Sequence, residues 1–223
     1  MKSRFSNARV TLMVLLTATV LTSCLSTEVS IDLSRGDTFS LDIVYRMPRS
    51  LWEYGVFDEE NSERAVPVSR RDAEETAVLY SDVTVTSYEI DEHGDEISVT
   101  VSYRIGSVES LEALWGGVSS GSRMSLSLEA GTLRLPVGEG PPPEGYDQEQ
   151  AQLISRLFEN EVFSITIRTP GRITSSTFPE AVEQDTEASR SGGSSADEVA
   201  TWQVAMGDLL LAPGSKEIVL AWE

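Results

Sequence analysis

Antiparallel α+β is the fold class the sequence predicts: a predominantly antiparallel sheet of hairpins and meanders carrying three or four short helices. Three observations point there. Apolar residues recur at every second position in one segment after another, and clusters of turn-forming residues separate those segments at hairpin spacing. No strand–helix–strand rhythm and no internal repeat runs through the chain.

The elements follow in order. Val29, Ile31 and Leu33 alternate with Ser30 and Asp32, and Ser34-Arg35-Gly36-Asp37 supplies a turn into Phe39, Leu41, Ile43, Tyr45 and Met47. That pattern is a hairpin with one buried face. Pro48 to Gly55 is a short helix with Pro48 near its start, and Asp58 to Arg64 is a charged loop. Ser69 with Asp72 three residues on is a capping box opening a helix through Ala73 and Ala77. Val83 and Val85, then Tyr88 and Ile90, lead through Asp91 to Glu96 into Ile97, Val99, Val101, Tyr103 and Ile105. The parity slip between Val85 and Tyr88 predicts a bulge in that second hairpin. Val108, Leu111, Leu114 and Trp115 stand at helical spacing.

Gly116 to Ser122 is a Gly/Ser loop, after which Met124, Leu126, Leu128 and Leu133, Leu135, Val137 form a strand pair around Gly131. Gly138 to Gly145, with three consecutive prolines, is a stiff loop. Asp147 and Gln150 cap a helix with an inner stripe of Ala151, Ile154, Leu157 and Phe158. Val162 to Ile167 and Ile173 are strand-like on either side of Pro170-Gly171. Residues 180–198, acidic and almost free of large apolar side chains, have the composition of a disordered insertion. Trp202, Val204 and Met206 resume the alternation, and Leu209 to Leu211 and Ile218 to Trp222 close the chain as strands.

Cys24 is the only cysteine and carries the strongest local signal. Basic Lys2, Arg4 and Arg9 precede an apolar run from Val10 to Leu21, which ends in Leu21-Thr22-Ser23-Cys24. That order of charge, apolar run and small residues is the pattern of an export signal, and the run falls short of the roughly 20 residues a membrane helix needs. Residues 1–23 are thus expected to be a signal peptide ending in a bacterial lipobox. Cys24 would be the lipidated first residue of a single domain, 24–223. With its thiol consumed, no disulfide is available, and an ordinary hydrophobic core must hold the domain. One acyl chain binds membranes marginally, whereas two or more anchor stably.

The net charge of −19 becomes −22 once the three basic residues of the leader are removed. Such a balance repels nucleic acid and anionic headgroups, and it serves solubility in an exported protein.

This arrangement resembles the LppM-type domain of bacterial lipoproteins. The resemblance rests on the cysteine running straight into the first hairpin (Cys24 to Met47) and on Leu51-Trp52-Glu53-Tyr54-Gly55. It also rests on the helix start Pro67-Val68-Ser69, the long hairpin from Val83 to Ile105, Thr169-Pro170-Gly171-Arg172-Ile173, and the strand led by Trp202. It covers most of the mature chain and implies an α+β fold with an antiparallel sheet. It carries over no catalytic residue. Some members have a C-terminal transmembrane helix, whereas this sequence has none before Glu223, so the expected attachment is the lipid.

Catalytic and metal motifs weigh against chemistry. Gly117-Val118-Ser119-Ser120-Gly121 has the letters of a nucleophile elbow, but that turn needs a strand before it, a helix after it and a histidine downstream. The one histidine, His93, lies upstream at a hairpin tip among Asp91, Glu92, Asp95 and Glu96. Their spacing fails the calcium-loop pattern, a lone imidazole makes no zinc set, and Gly94 suits a turn. No phosphate loop, dinucleotide fingerprint or Cys/His cluster is present, so no cofactor is expected. Trp52, Tyr54 and Phe57 form the densest aromatic patch, read first as core and second as a rim for a lipid, a glycan or a partner protein.

The expectation is therefore a non-enzymatic, lipid-anchored envelope protein that binds or helps assemble something. It faces the periplasm or the exterior, and Leu25 after the cysteine suits the outer membrane of a two-membrane cell. A carboxylate-dependent glycan hydrolase and a carrier of an apolar ligand are the alternatives. The first needs two facing carboxylates in a cleft, the second a large apolar cavity between sheet and helices.

Overall fold

A computed structural model describes residues 26–53, 69–118, 124–137, 161–177, 198–211 and 216–223, with 152 and 158 besides. The described residues form ten strands in two sheets. The predicted loops at Asp58–Arg64 and Gly138–Gly145, and residues 180–197 of the predicted insertion 180–198, lie outside them, whereas Glu198, its last residue, instead begins a strand. The Asp147-capped helix also lies outside them, apart from residues 152 and 158.

The first hairpin joins β1 (Ser26–Asp32) to β2 (Phe39–Pro48), with Ile31 opposite Leu41 and Val29 opposite Ile43. Asp32 holds the turn by accepting from the Ser34 backbone N–H at 2.9 Å and its hydroxyl at 2.6 Å. β3 (Val83–His93) and β4 (Glu96–Ile105) form the long second hairpin, and β4 also pairs with β2. The predicted bulge is there: the ladder shifts between Val85 and Ser87, which leaves Thr86 as the extra residue and puts Tyr88 and Ile90 opposite Val101 and Val99.

β7 (Val162–Thr169) and β9 (Glu198–Ala205) complete a six-stranded sheet in the order β3-β4-β2-β1-β7-β9. All its pairs are antiparallel except β1 with β7. That parallel pair lies inside the sheet, one place from its middle, and the two strands are far apart in sequence. A second sheet, β5 (Ser125–Ser127), β6 (Thr132–Val137), β10 (Lys216–Trp222) and β8 (Ile173–Thr177), runs in the order β5-β6-β10-β8 and is antiparallel throughout.

Among the described residues, full helices are fewer than the three or four expected. Two exceed two turns, α2 (Arg70–Val78) and α3 (Val108–Val118), while α1 (Arg49–Glu53) and α4 (Met206–Leu211) are single-turn pieces. The α4 turn corrects an expectation, because Met206 and Leu209 to Leu211 were expected in strands. The Met206 N–H still reaches the Glu161 carbonyl at 2.8 Å, one step beyond the Val162–Ala205 pair, but β7 begins at Val162 and offers no further partner, and leucine favours helix over strand once none remains.

One continuous apolar cluster lies between the sheets, drawing Val29, Ile31, Leu41 and Tyr45 from the first and Leu133, Leu135, Ile218 and Leu220 from the second. Trp115, Trp202 and Trp222 are buried in it. The opposite face of the large sheet carries Ser30, Asp32, Ser40, Asp42, Ser98, Thr100 and Ser102, half-exposed, as expected of an antiparallel sheet with one wet side.

Tyr103, 1% exposed, brings a hydroxyl into this core with no hydrogen-bond partner among the described residues. Burial raises its pKa well above the ordinary phenol value, and the nearby Asp72 carboxylate pushes in the same direction. An orphaned buried hydroxyl costs about 1–3 kcal/mol of desolvation with nothing returned. Tyr103→Phe is therefore expected to stabilise the fold by about 1 kcal/mol, read as a higher urea midpoint at unchanged slope. A lower midpoint would show that the hydroxyl contributes to the native state.

Candidate functional site

α2 and the edge strand β3 build an open concavity between them. The helix starts as its sequence dictates: Ser69 Oγ accepts from the Asp72 N–H at 3.1 Å, and the Asp72 carboxylate accepts from the Ser69 N–H at 3.2 Å. Ala73 and Ala77 face the core, and their small size lets α2 lie close against the sheet. Arg70 pairs with Glu74 at 2.9 Å and Arg71 with Glu75 at 2.8 Å along the helix. The loop after α2 is fixed to α3. Asp82 accepts from the Ser110 hydroxyl, its carbonyl accepts from the Gly106 N–H at 2.9 Å, and Tyr80 Oη donates to the Ala113 carbonyl at 3.2 Å. Hydrogen bonds from Ser107 and then Ser110 hold the Asp82 carboxyl below its usual pKa.

Between these elements runs an open groove of about 400 Å³, lined by Arg70, Glu74, Ala77 and Val78 on the helix and by every residue from Val83 to Tyr88 on the strand. Lining by consecutive strand residues, of both parities, means that the groove exposes the edge of β3 itself. Among the described residues no strand pairs with that edge. Val78, which lines the groove, is 83% exposed, and Leu79, next in the chain, is 76% exposed. Their position off the Ala73/Ala77 stripe was visible in the sequence. The edge position of β3 was not.

The residues singled out by sequence do not gather at this groove. Trp52 on α1 packs half-buried against the core, whereas Tyr54 and Phe57 lie outside the described residues. α1 itself is stapled to the β3–β4 tip: the Arg49 N–H reaches the Asp95 carbonyl at 2.7 Å, and its guanidinium reaches the Gly94 carbonyl at 3.1 Å and Glu92 at 2.7 Å. At that exposed tip His93 Nε2 lies 2.9 Å from Asp91. Among the described residues no three His, Cys, Asp or Glu side chains are placed to hold a metal ion. The Gly117–Gly121 letters begin inside the last turn of α3, so a helix, not a strand, precedes Ser119.

Cys24 also lies outside the described residues, but the chain two positions on is well fixed. Ser26 Oγ donates to the Glu161 carboxylate at 2.5 Å and accepts from the Val162 N–H at 3.4 Å, tying the start of β1 to the start of β7. Arg46 on β2 holds Glu28 through its two terminal guanidinium nitrogens. No described helix is long and apolar enough to cross a membrane.

No family model and no curated protein matches this chain. Among solved structures, it is similar to the NMR structure of the folded domain of LppM from Mycobacterium tuberculosis. That likeness spans 89% of this chain and 90% of that one, at 15% identity and a TM-score of 0.41. No residue role passes to this chain from a likeness at that level.

Proposed function

We propose that this protein is a lipid-anchored lipoprotein of the cell envelope whose role is non-enzymatic binding or envelope assembly. The observation that carries it is Cys24 itself, at the end of a basic and then apolar leader, with Leu25 alone between it and the first residue of β1. With so short a connection, lipid on Cys24 would hold the Ser26 end of the large sheet against the membrane. The chain would then be exported, the leader 1–23 removed and the body placed in the periplasm or outside the cell. In a cell with two membranes the outer one is the expected address.

Binding is favoured over the two alternatives by the groove. Among the described residues that line it the one carboxylate, Glu74, is held by Arg70, with no second carboxylate facing it of the kind acid–base cleavage of glycans needs. The groove is also open and mixed in polarity, not the enclosed apolar cavity of a carrier.

The test is membrane fractionation of the protein and of Cys24→Ala, with mass spectrometry of the N-terminal peptide. The wild-type protein is expected in the membrane fraction, cut before Cys24 and carrying acyl mass. Cys24→Ala is expected in the soluble exported fraction or retained with an uncut leader. An unmodified Cys24 in mature material would overturn the anchor.

A further inference from the structure

We propose that the leader is cut away before β1 takes its place in the sheet, because the folded body holds the Ser23–Cys24 bond out of reach of a peptidase embedded in the membrane. This rests on the lipoprotein reading above and adds the order in which processing and folding occur.

β1 is an interior strand, paired with β2 on one side and β7 on the other, and its first residue is already fixed. Ser26 Oγ donates to the Glu161 carboxylate and accepts from the Val162 N–H. Two residue steps separate Ser26 from Cys24, and they span at most about 7 Å however far they extend. The neighbouring strands run further. Ser26 is level with Arg46, and β2 continues through Met47 to Pro48, which is paired with Glu96. The turn at Gly94 and Asp95 lies one step beyond, so this tip stands about 10 Å past Ser26 at about 3.3 Å per residue. The Arg49 N–H, bonded to the Asp95 carbonyl, fixes α1 to the same tip. Across the sheet β9 ends at Ala205, opposite Val162, and passes straight into α4. By register, then, the start of β1 is recessed behind the β3–β4 tip.

A peptidase working in the membrane needs this bond in extended chain at the hydrocarbon boundary, beneath a headgroup layer about 5–8 Å deep. There water adds across the Ser23–Cys24 peptide bond, leaving a carboxylate on Ser23 and a free amine on Cys24. From the folded state, reaching that depth means pressing the tip, with exposed Glu92, Asp95 and Glu96, through the headgroups, or stripping β1 from both its neighbours. The unfolded chain meets neither obstacle. The sheet closes over β1 only when β7 has arrived, and Glu161, at its threshold, lies 135 residues after Ser26. In a chain exported as it is made, at about 5–20 residues per second, that separation is a delay on the order of 10 s.

The test offers the full-length precursor to bacterial membranes that carry lipoprotein-processing enzymes, and follows cleavage before Cys24 by mass spectrometry. The precursor is supplied folded, as verified by near-UV circular dichroism, and freshly diluted from urea. A second precursor carries six Gly/Ser residues inserted between Leu25 and Ser26. Such a linker spans about 12–15 Å on average, enough to clear the tip, and leaves Leu21 to Leu25 intact. The folded natural precursor is expected to be cut at least about tenfold more slowly than the diluted one, because cleavage then tracks the small population with β1 open. The folded spacer precursor should be cut as fast as its own diluted form. Equal rates for the two forms of the natural precursor, or a folded spacer precursor as slow as the natural one, would overturn the proposal and leave the Cys24 reading standing. Cleavage of neither precursor in either form would overturn both.

Discussion

Gly131→Ala is expected to be among the most damaging single substitutions, lowering unfolding free energy by about 2–5 kcal/mol. Two costs combine. Gly131 sits at φ +58°, where a side chain costs about 1–2 kcal/mol. A Cβ there would also meet the Trp222 carbonyl oxygen at 2.1 Å, a backbone atom that cannot swing aside. The approach is close because the Trp222 N–H donates to the Gly131 carbonyl at 2.8 Å, seating the end of β10 on the β5–β6 turn. Gly171 grips the next residue in the same manner, with a Cβ 2.2 Å from the Glu223 carbonyl oxygen and Arg172 exchanging backbone bonds with Glu223 at 2.9 Å each way. Gly36→Ala is the control: its φ is +72°, but nothing lies within 4 Å, so only the backbone cost of about 1–2 kcal/mol applies. Urea midpoints should therefore fall most for Gly131→Ala and least for Gly36→Ala. Equal losses at both would show that the contact with β10 contributes nothing.

Trp115→Ala should destabilise the fold by about 3–5 kcal/mol, the usual cost of emptying a large aromatic site. The ring is buried in the cluster at the end of α3, and its indole N–H donates to the Pro136 carbonyl at 3.1 Å, joining helix to β6. Trp115→Phe separates the two contributions. It keeps much of the apolar area but removes the donor, so a loss of about 1–2 kcal/mol is expected. A phenylalanine variant as unstable as the alanine variant would assign the whole effect to the hydrogen bond. One as stable as wild type would assign it to packing. Chemical denaturation of the three proteins, compared at constant slope, makes the distinction.

Much of this fold is legible residue by residue. Phe39, Leu41, Ile43, Tyr45 and Met47 alternate because one face of β2 meets the core, and all five are buried. The break in parity after Val85 marks the bulge, because a strand cannot change faces without an extra residue. Ser69 and Asp72 mark the start of α2, since capping is a local contest for backbone N–H groups. Where local preference was weak, the reading failed: Leu209 to Leu211 suit a strand or a helix, and the end of β9 decided for helix.

What the chain by itself determined is the secondary structure of its strongly patterned segments and the inward face of their strands. Both are properties of neighbours in sequence. Only the tertiary structure decided that β1 lies parallel to β7, that β3 ends up at an edge, and that α2 leaves a groove beside it. The physical reason is that period-two alternation fixes which way a side chain points but not which strand lies alongside. That choice is made by long-range pairing and by the shared core.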